Sequence, residues 1–206
     1  ILDPYGGAFK ISKGLSTRFP ERILATPISE AAIVGISGGM ALRGLRPVVE
    51  IMFGDFITLA FDQILNHITK FPAMYNGQVS CPVAIRTPMG GGRGYGPTHS
   101  QSLEKFFIGV PGLDVVAISP LHDIENFYRQ AITVTDTPTL IIEHKLLYPQ
   151  STCDVDSERY REFAIRRTVA PYPTVSLSLN NFRRADITLI TYGGTTRLAL
   201  EAARHA

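Results

Sequence analysis

The chain has 206 residues, 45% hydrophobic and 18% charged, with a formal net charge of +2. That is enough for one large domain, or one domain with part of another, around an ordinary buried core. Its densest basic pairs are Arg166-Arg167 and Arg183-Arg184, which excludes a charge-built nucleic-acid surface, and no apolar run reaches the ~18 residues of a membrane span.

In chain order, short runs rich in Val, Ile and Leu are expected as strands at 23–26, 47–53, 83–86, 114–118 and 139–143. Helices are expected between them at 30–42, 55–70, 102–108 and 121–133. Gly44 stands where a helix stops, and Asp55 where one is N-capped. Ile57, Phe61, Ile64, Leu65 and Ile68 form one apolar stripe, and Ser119-Pro120 reads as an N-cap with proline at the first helical position. The strands do not alternate, as strands buried on both faces should not. The expected fold class is therefore α/β, a mostly parallel sheet with helices on both faces.

From 150 to 186 the pattern loosens into Ser, Thr, Pro and charge, with Tyr172 between Pro171 and Pro173, which reads as an interdomain linker. A strand at 187–191, Gly193-Gly194 and a helix at 195–204 then read as the start of a second α/β unit. The domain expectation is 1–150, a linker at 151–185, and the truncated opening of a second domain at 186–206. Both ends look cut. Cys81 and Cys153 have no CxxC spacing, so neither a disulfide framework nor a thiolate metal site is indicated and a reducing compartment fits better.

Glu30 is the only carboxylate between Glu21 and Glu50 and leads into an almost uncharged helix. A carboxylate in such a setting must be paired, hydrogen-bonded or neutralised, and this is where one is tuned for proton chemistry. The same helix carries Gly35, Gly38 and Gly39, each costing about 1 kcal/mol against alanine, so close backbone approach by another helix or a ligand, or plain close packing, is expected. Residues 90–99 form a glycine-rich loop after a strand. It lacks the Gly-Lys-Ser/Thr of a phosphate loop and the GxGxxG spacing. It is either a plain surface loop or a mobile loop that places His99 over a reaction centre. Gly35-Ile36-Ser37-Gly38-Gly39 matches the nucleophile-elbow pattern, but the run through Leu42 puts Ser37 inside a helix rather than at a strand-to-helix turn. The histidines form no HExxH, so no zinc site is indicated.

Several segments occur together in register: Thr26-Pro27-Ile28-Ser29-Glu30, Glu50-Ile51-Met52-Phe53-Gly54-Asp55-Phe56, Phe61-Asp62-Gln63-Ile64, residues 94–102, and Glu143-His144-Lys145-Leu146-Leu147-Tyr148. In this order and spacing the chain resembles the β subunit (E1 component) of thiamine-diphosphate-dependent 2-oxo acid dehydrogenases. Residues 6–148 resemble its transketolase-like pyrimidine-binding domain, and 186–206 the opening of the transketolase C-terminal domain.

The resemblance implies that Glu30 hydrogen-bonds N1′ of the cofactor's aminopyrimidine, favouring the imino form that removes the thiazolium C2 proton. It implies that Ile28, Phe53 and Phe56 line the cofactor pocket, with Phe56 where many relatives carry tyrosine and Met52 where many carry glutamine. His99 matches the histidine expected to assist acyl transfer to a lipoyl group. No Gly-Asp-Gly motif for diphosphate and Mg²⁺ occurs here, so both are expected to be shared with a separate α subunit, in an α₂β₂ assembly that feeds a lipoyl acyltransferase (E2). Some relatives hold K⁺ near the backbone of Val83 and Ala84 and the loop around Thr135 and Thr137. Thr135 replaces an acid there, and that ion is left open. The substrate stays open among pyruvate, branched-chain 2-oxo acids and acetoin-type compounds. The compartment implied is the bacterial cytoplasm or the mitochondrial matrix. The alternatives are a split-subunit transketolase-like carboligase, a non-catalytic assembly subunit, and a serine hydrolase built on Ser37.

Overall fold

The computed structural model describes residues 1–150, 158–179 and 184–205. In chain order its elements are α1 (Leu15–Arg18), α2 (Glu30–Leu42), β1 (Val48–Glu50), a 3₁₀ segment (Gly54–Ala60), a π-helical segment (Gln63–Ile68), α3 (Phe71–Met74) and β2 (Ala84–Met89). There follow β3 (Asp114–Ala117), α4 (Ile124–Arg129) with a π-helical continuation (Gln130–Val134), β4 (Thr139–His144), β5 (Phe163–Arg167), β6 (Val175–Leu179) and α5 (Thr196–His205).

Four strands make one all-parallel sheet in the order β1-β2-β4-β3. Neighbouring residues on each strand point to opposite faces, and both faces are covered. Val49, Ile85, Leu140 and Ile142 pack with Val34 and Ala41 of α2 and with Ile57, Ile64 and Ile68. Ala84, Ile141 and Ile118 pack instead against Phe127 and Ala131 of the α4 segment. Double burial is why these strands read as unbroken apolar runs. The α/β fold with helices on both faces is what the strands' composition led one to expect.

Local differences have local causes. Residues 23–26 are extended but pair with no strand, and Leu24 is exposed, so no apolar layer rewards a fifth strand. The expected helix at 102–108 is one 3₁₀ turn, Glu104–Phe106, closed off by Gly109 and Pro111; a short stretch does not recover the cost of nucleating a helix. The expected helix 55–70 is a 3₁₀ segment followed by a π-helical one; Ile57, Ile64 and Ile68 of its stripe are buried and Phe61 and Leu65 half-buried, and Asp55 is not an N-cap. The last helix of the sheet domain begins at Ile124 rather than 121. Asp123, not Ser119, caps it by accepting from the Asn126 N–H at 3.0 Å. Arg43 follows α2 and Gly44 then takes φ +83°, a left-handed stop.

The stretch expected as linker contains the antiparallel hairpin β5–β6, whose Phe163, Ile165, Val175, Leu177 and Leu179 pack on Leu121 and Tyr160. Residues 187–191 form no strand, and Ile187 and Ile190 face solvent. Among the described residues, no helix is long and apolar enough to cross a membrane.

Candidate active site

Phe53, Phe56, His99 and Lys145 gather beyond the carboxyl ends of β1, β2 and β4, where open parallel sheets place their ligand crevices. Ser29 is extended and Glu30 is the first residue of α2, where the helix dipole favours a carboxylate. Glu30 is buried along most of its side chain, and its carboxylate, open to solvent, has no hydrogen bond or ion pair among the described residues. α2 lies along the 3₁₀ segment that carries Phe56.

His99 stands in a short turn, Pro97–His99, at the end of the glycine loop. Its ring stands near perpendicular to those of two phenylalanines, Phe53 at 4.9 Å and Phe56 at 5.2 Å between centroids. Thr98 Oγ1 lies 3.0 Å from its Nδ1. Tyr95 and Phe9 extend the aromatic wall from Phe53, and Phe9 reaches Tyr148 at 4.9 Å. Thus Phe53, Phe56 and His99 are brought into contact. Ile28 is not: it is 86% exposed, just ahead of α2 and outside the ring cluster.

Two buried charges underlie the loop. Lys145 Nζ donates to the Gly90 carbonyl at 3.2 Å and the His99 carbonyl at 2.5 Å, and sits 5.2 Å over the Phe53 ring. Asp55 Oδ1 accepts from both the backbone N–H and the side-chain amide of Gln101 at 3.0 Å. Asp55 Oδ2 takes no hydrogen bond and lies 3.9 Å from Lys145 Nζ. Burial pushes the Lys145 ammonium below its usual range, and Asp55 partly offsets this. At Gly90 a Cβ would fall 2.2 Å from His144 Nε2, so only glycine lets the loop leave β2 here.

A second buried network crosses strands β1, β2 and β4. Arg86 donates to Glu50 Oε2 at 2.8 Å and in bidentate fashion to Glu143, at 3.1 and 2.5 Å. Tyr128 and Tyr148 also donate to Glu143. The register explains this: Glu50 is the direct partner of Arg86, and Glu143 lies two residues on from Arg86's partner Ile141, on the same face. Burial, then the nearby Glu143 charge, pushes both tyrosines up. A largely apolar cavity of about 270 Å³ opens beside Glu143, Tyr128 and Tyr148. Both Glu143 oxygens are already occupied, and His144 also lines the cavity.

Residues 2–151 match the transketolase pyrimidine-binding domain. The chain belongs to that family. The chain is 37% identical over 201 residues to the β subunit of acetoin:2,6-dichlorophenolindophenol oxidoreductase of Cupriavidus necator, covering 98% of the chain and 56% of that protein. It is 37% identical over 199 residues to the 2-oxoisovalerate dehydrogenase β subunit of Bacillus subtilis, covering 96% and 57%. It is 43% identical over 145 residues to the chloroplastic pyruvate dehydrogenase E1 component subunit beta-3 of Arabidopsis thaliana, covering 70% and 36%. The chain thus spans little more than half the length of the first two relatives.

The residues present fit an aminopyrimidine: a carboxylate at Glu30 with no side-chain partner among the described residues, on the helix that packs along the segment carrying Phe56, whose ring with Phe53 flanks His99. They supply no metal cage, since no group of three His, Cys, Asp or Glu could hold an ion among the described residues. The loop considered for K⁺ is already engaged by a cation. Arg46 donates to the Thr135 carbonyl at 2.8 Å, the Ile132 carbonyl at 3.4 Å and Asp136 Oδ1 at 2.7 Å. Ser37 Oγ donates to the Ile33 carbonyl one turn back in α2 at 2.8 Å, so it is no nucleophile elbow.

Reading the chain alone missed Arg86, Lys145 and the true position of Asp55. One signal was available: Glu50, Arg86 and Glu143 are charges in or at the end of strands otherwise apolar, and buried charges require partners.

Proposed function

We propose that this chain is the pyrimidine-binding part of the β subunit of a thiamine-diphosphate-dependent 2-oxo acid dehydrogenase (E1). It would work with an α subunit in an α₂β₂ assembly, decarboxylate a small 2-oxo acid oxidatively and pass the acyl group to the lipoyl arm of an E2 acyltransferase. The observation that carries this reading is Glu30: a carboxylate with no side-chain partner among the described residues at the start of α2, in a chain whose relatives are named as β subunits of 2-oxo acid and acetoin enzymes.

Thiamine diphosphate, when bound, supplies the electron sink that decarboxylation of a 2-oxo acid needs. Glu30 would hold a proton at N1′ of the aminopyrimidine, its carboxylate being taken by no other side chain among the described residues. Phe53 and Phe56 wall the ring and hold the His99 imidazole near perpendicular to their own rings. Thr98 holds His99 Nδ1, leaving Nε2 to pass a proton to the incoming lipoyl sulfur. Diphosphate and Mg²⁺ fall to the α subunit. The exposed Ile28 and the Gly35, Ile36 and Gly39 side of α2 are the surface proposed to receive it. Residues 186–206 are proposed to open the second domain, and the bacterial cytoplasm or mitochondrial matrix is the compartment.

The test is calorimetric titration of thiamine diphosphate with Mg²⁺ into the chain alone and co-purified with its partner, followed by a panel of pyruvate, branched-chain 2-oxo acids and acetoin. Binding in the complex only is the expected result. Absence of binding in both states refutes the proposal.

A further inference from the structure

The segment that carries His99 is one that would not hold a histidine still by itself. Five of the seven residues from Gly90 to Gly96 are glycine, and four of them take positive φ. Glycine loses more conformational freedom on ordering than any other residue. The loop's central residues, Arg93 to Gly96, are exposed. What orders the loop lies beneath it. Lys145, a fully buried residue of the turn after β4, joins with one ammonium the carbonyls of Gly90 and His99, nine residues apart. Asp55 closes the neighbouring position through Gln101, and the Gly90 N–H donates to the Gln101 carbonyl at 3.0 Å.

An ion pair buried this deeply is weak evidence for stability, because well-packed apolar side chains are often as stable or more so. Its geometry serves placement. The ammonium is also seated on the Phe53 ring, the ring that touches the His99 imidazole. One charge thus locates both the backbone of His99 and the wall its side chain rests on. It does so through the backbone carbonyl, leaving the ring Nε2 without a hydrogen bond among the described residues.

We propose that Lys145, seated by Asp55, is the positioning residue for His99: it tethers both ends of the glycine loop and sets the imidazole against Phe53 and Phe56. This rests on the role proposed above for His99. A misplacement on the order of 1 Å costs up to about a hundredfold in rate, which bounds the effect.

The variants are Lys145→Met and, because that leaves Asp55 buried alone, the double variant Lys145→Met/Asp55→Asn, each co-purified with the α partner and checked for a cooperative melt. Arg93 places a trypsin site inside the loop. Cleavage after Arg93, followed by mass spectrometry, is expected to accelerate about tenfold or more in either variant that melts cooperatively. The rate of acyl transfer to a lipoyl acceptor is expected to fall about ten- to a hundredfold, while oxidation by an artificial dye acceptor falls far less. In a His99→Ala background the Lys145 change should add nothing to the transfer defect. Unchanged cleavage after Arg93 in a folded variant overturns the tether. A full additional loss in the His99→Ala background overturns its action through His99. If His99→Ala itself transfers acyl groups at the native rate, the proposed role of His99 fails, and cleavage alone then decides the tether.

Discussion

Two adjacent glycines of α2 should respond to the same substitution with different effects. An ideal Cβ on Gly38 would lie 2.8 Å from Ile68 Cγ2 and 3.1 Å from Phe71 Cε2, whereas one on Gly39 meets nothing within 4 Å. Alanine brings about 0.5–1 kcal/mol of helix propensity at either position. At Gly39 that gain is the whole effect. At Gly38 it is opposed by overpacking, which costs about 1–3 kcal/mol. Ile68 is fully buried and β-branched, so its methyl cannot swing aside. Gly39→Ala should therefore melt above, and Gly38→Ala below, by a separation of about 1–3 kcal/mol. At about 2–4 °C per kcal/mol for a chain of this size, that is roughly 2–12 °C between two thermal melts followed by circular dichroism. Urea midpoints should shift in the same order at unchanged slope. If Gly38→Ala melts at or above Gly39→Ala, the close packing of α2 on the π-helical segment is not what the glycine serves. The same geometry reassigns Gly38: its small size answers to Ile68 and Phe71 of its own chain, not to a subunit contact.

Glu30→Gln should keep the fold, with a melt within a few degrees of the parent, and abolish exchange of the thiazolium C2 proton as followed by NMR in the α-partnered enzyme; native exchange would refute its role. Arg86→Met should cost about 3–5 kcal/mol in urea unfolding, because it leaves Glu50 and Glu143 buried without their cation; a loss under about 1 kcal/mol would contradict the network. Burial, with Arg167 adding to it, lowers the His122 pKa, although the Pro173 carbonyl at 3.2 Å from Nε2 opposes the shift. The unfolded chain then binds this proton more readily than the folded one, so the stability it contributes is present above about pH 6.5 and lost as pH falls through the lower folded pKa. Replacing His122 by Asn should flatten the fall in stability between pH 7 and 5, and an unchanged slope would refute this. Cys81, fully buried and with its thiol pushed up to about 11 by desolvation, should resist a thiol reagent in the native chain and react only on unfolding.

How much was legible depended on the range of the interaction. The helix at Glu30–Leu42 and its stop at Gly44 rest on propensity and local backbone sterics, and both stand where the residues put them. The hairpin β5–β6 was readable in principle, since Val175, Leu177 and Leu179 alternate with serines, but the Pro and charge around them masked the period. Asp55 has the residue type of an N-cap and its position by sequence, yet its carboxylate is taken by Gln101, 46 residues away.

By itself the sequence determined the α/β class, the double burial of the strands and the start of α2 at Glu30, because composition and period act over a few residues and need no partner. It also determined the resemblance that makes Glu30 and His99 the residues to watch. The tertiary structure alone decided that 23–26 stays outside the sheet, that Arg86 bridges Glu50 and Glu143, and that Lys145 lies under the loop bearing His99. Those are contacts between residues 36 to 57 positions apart along the chain. Charge in a sequence shows only that a partner is required; the strand order β1-β2-β4-β3 and its register choose which one.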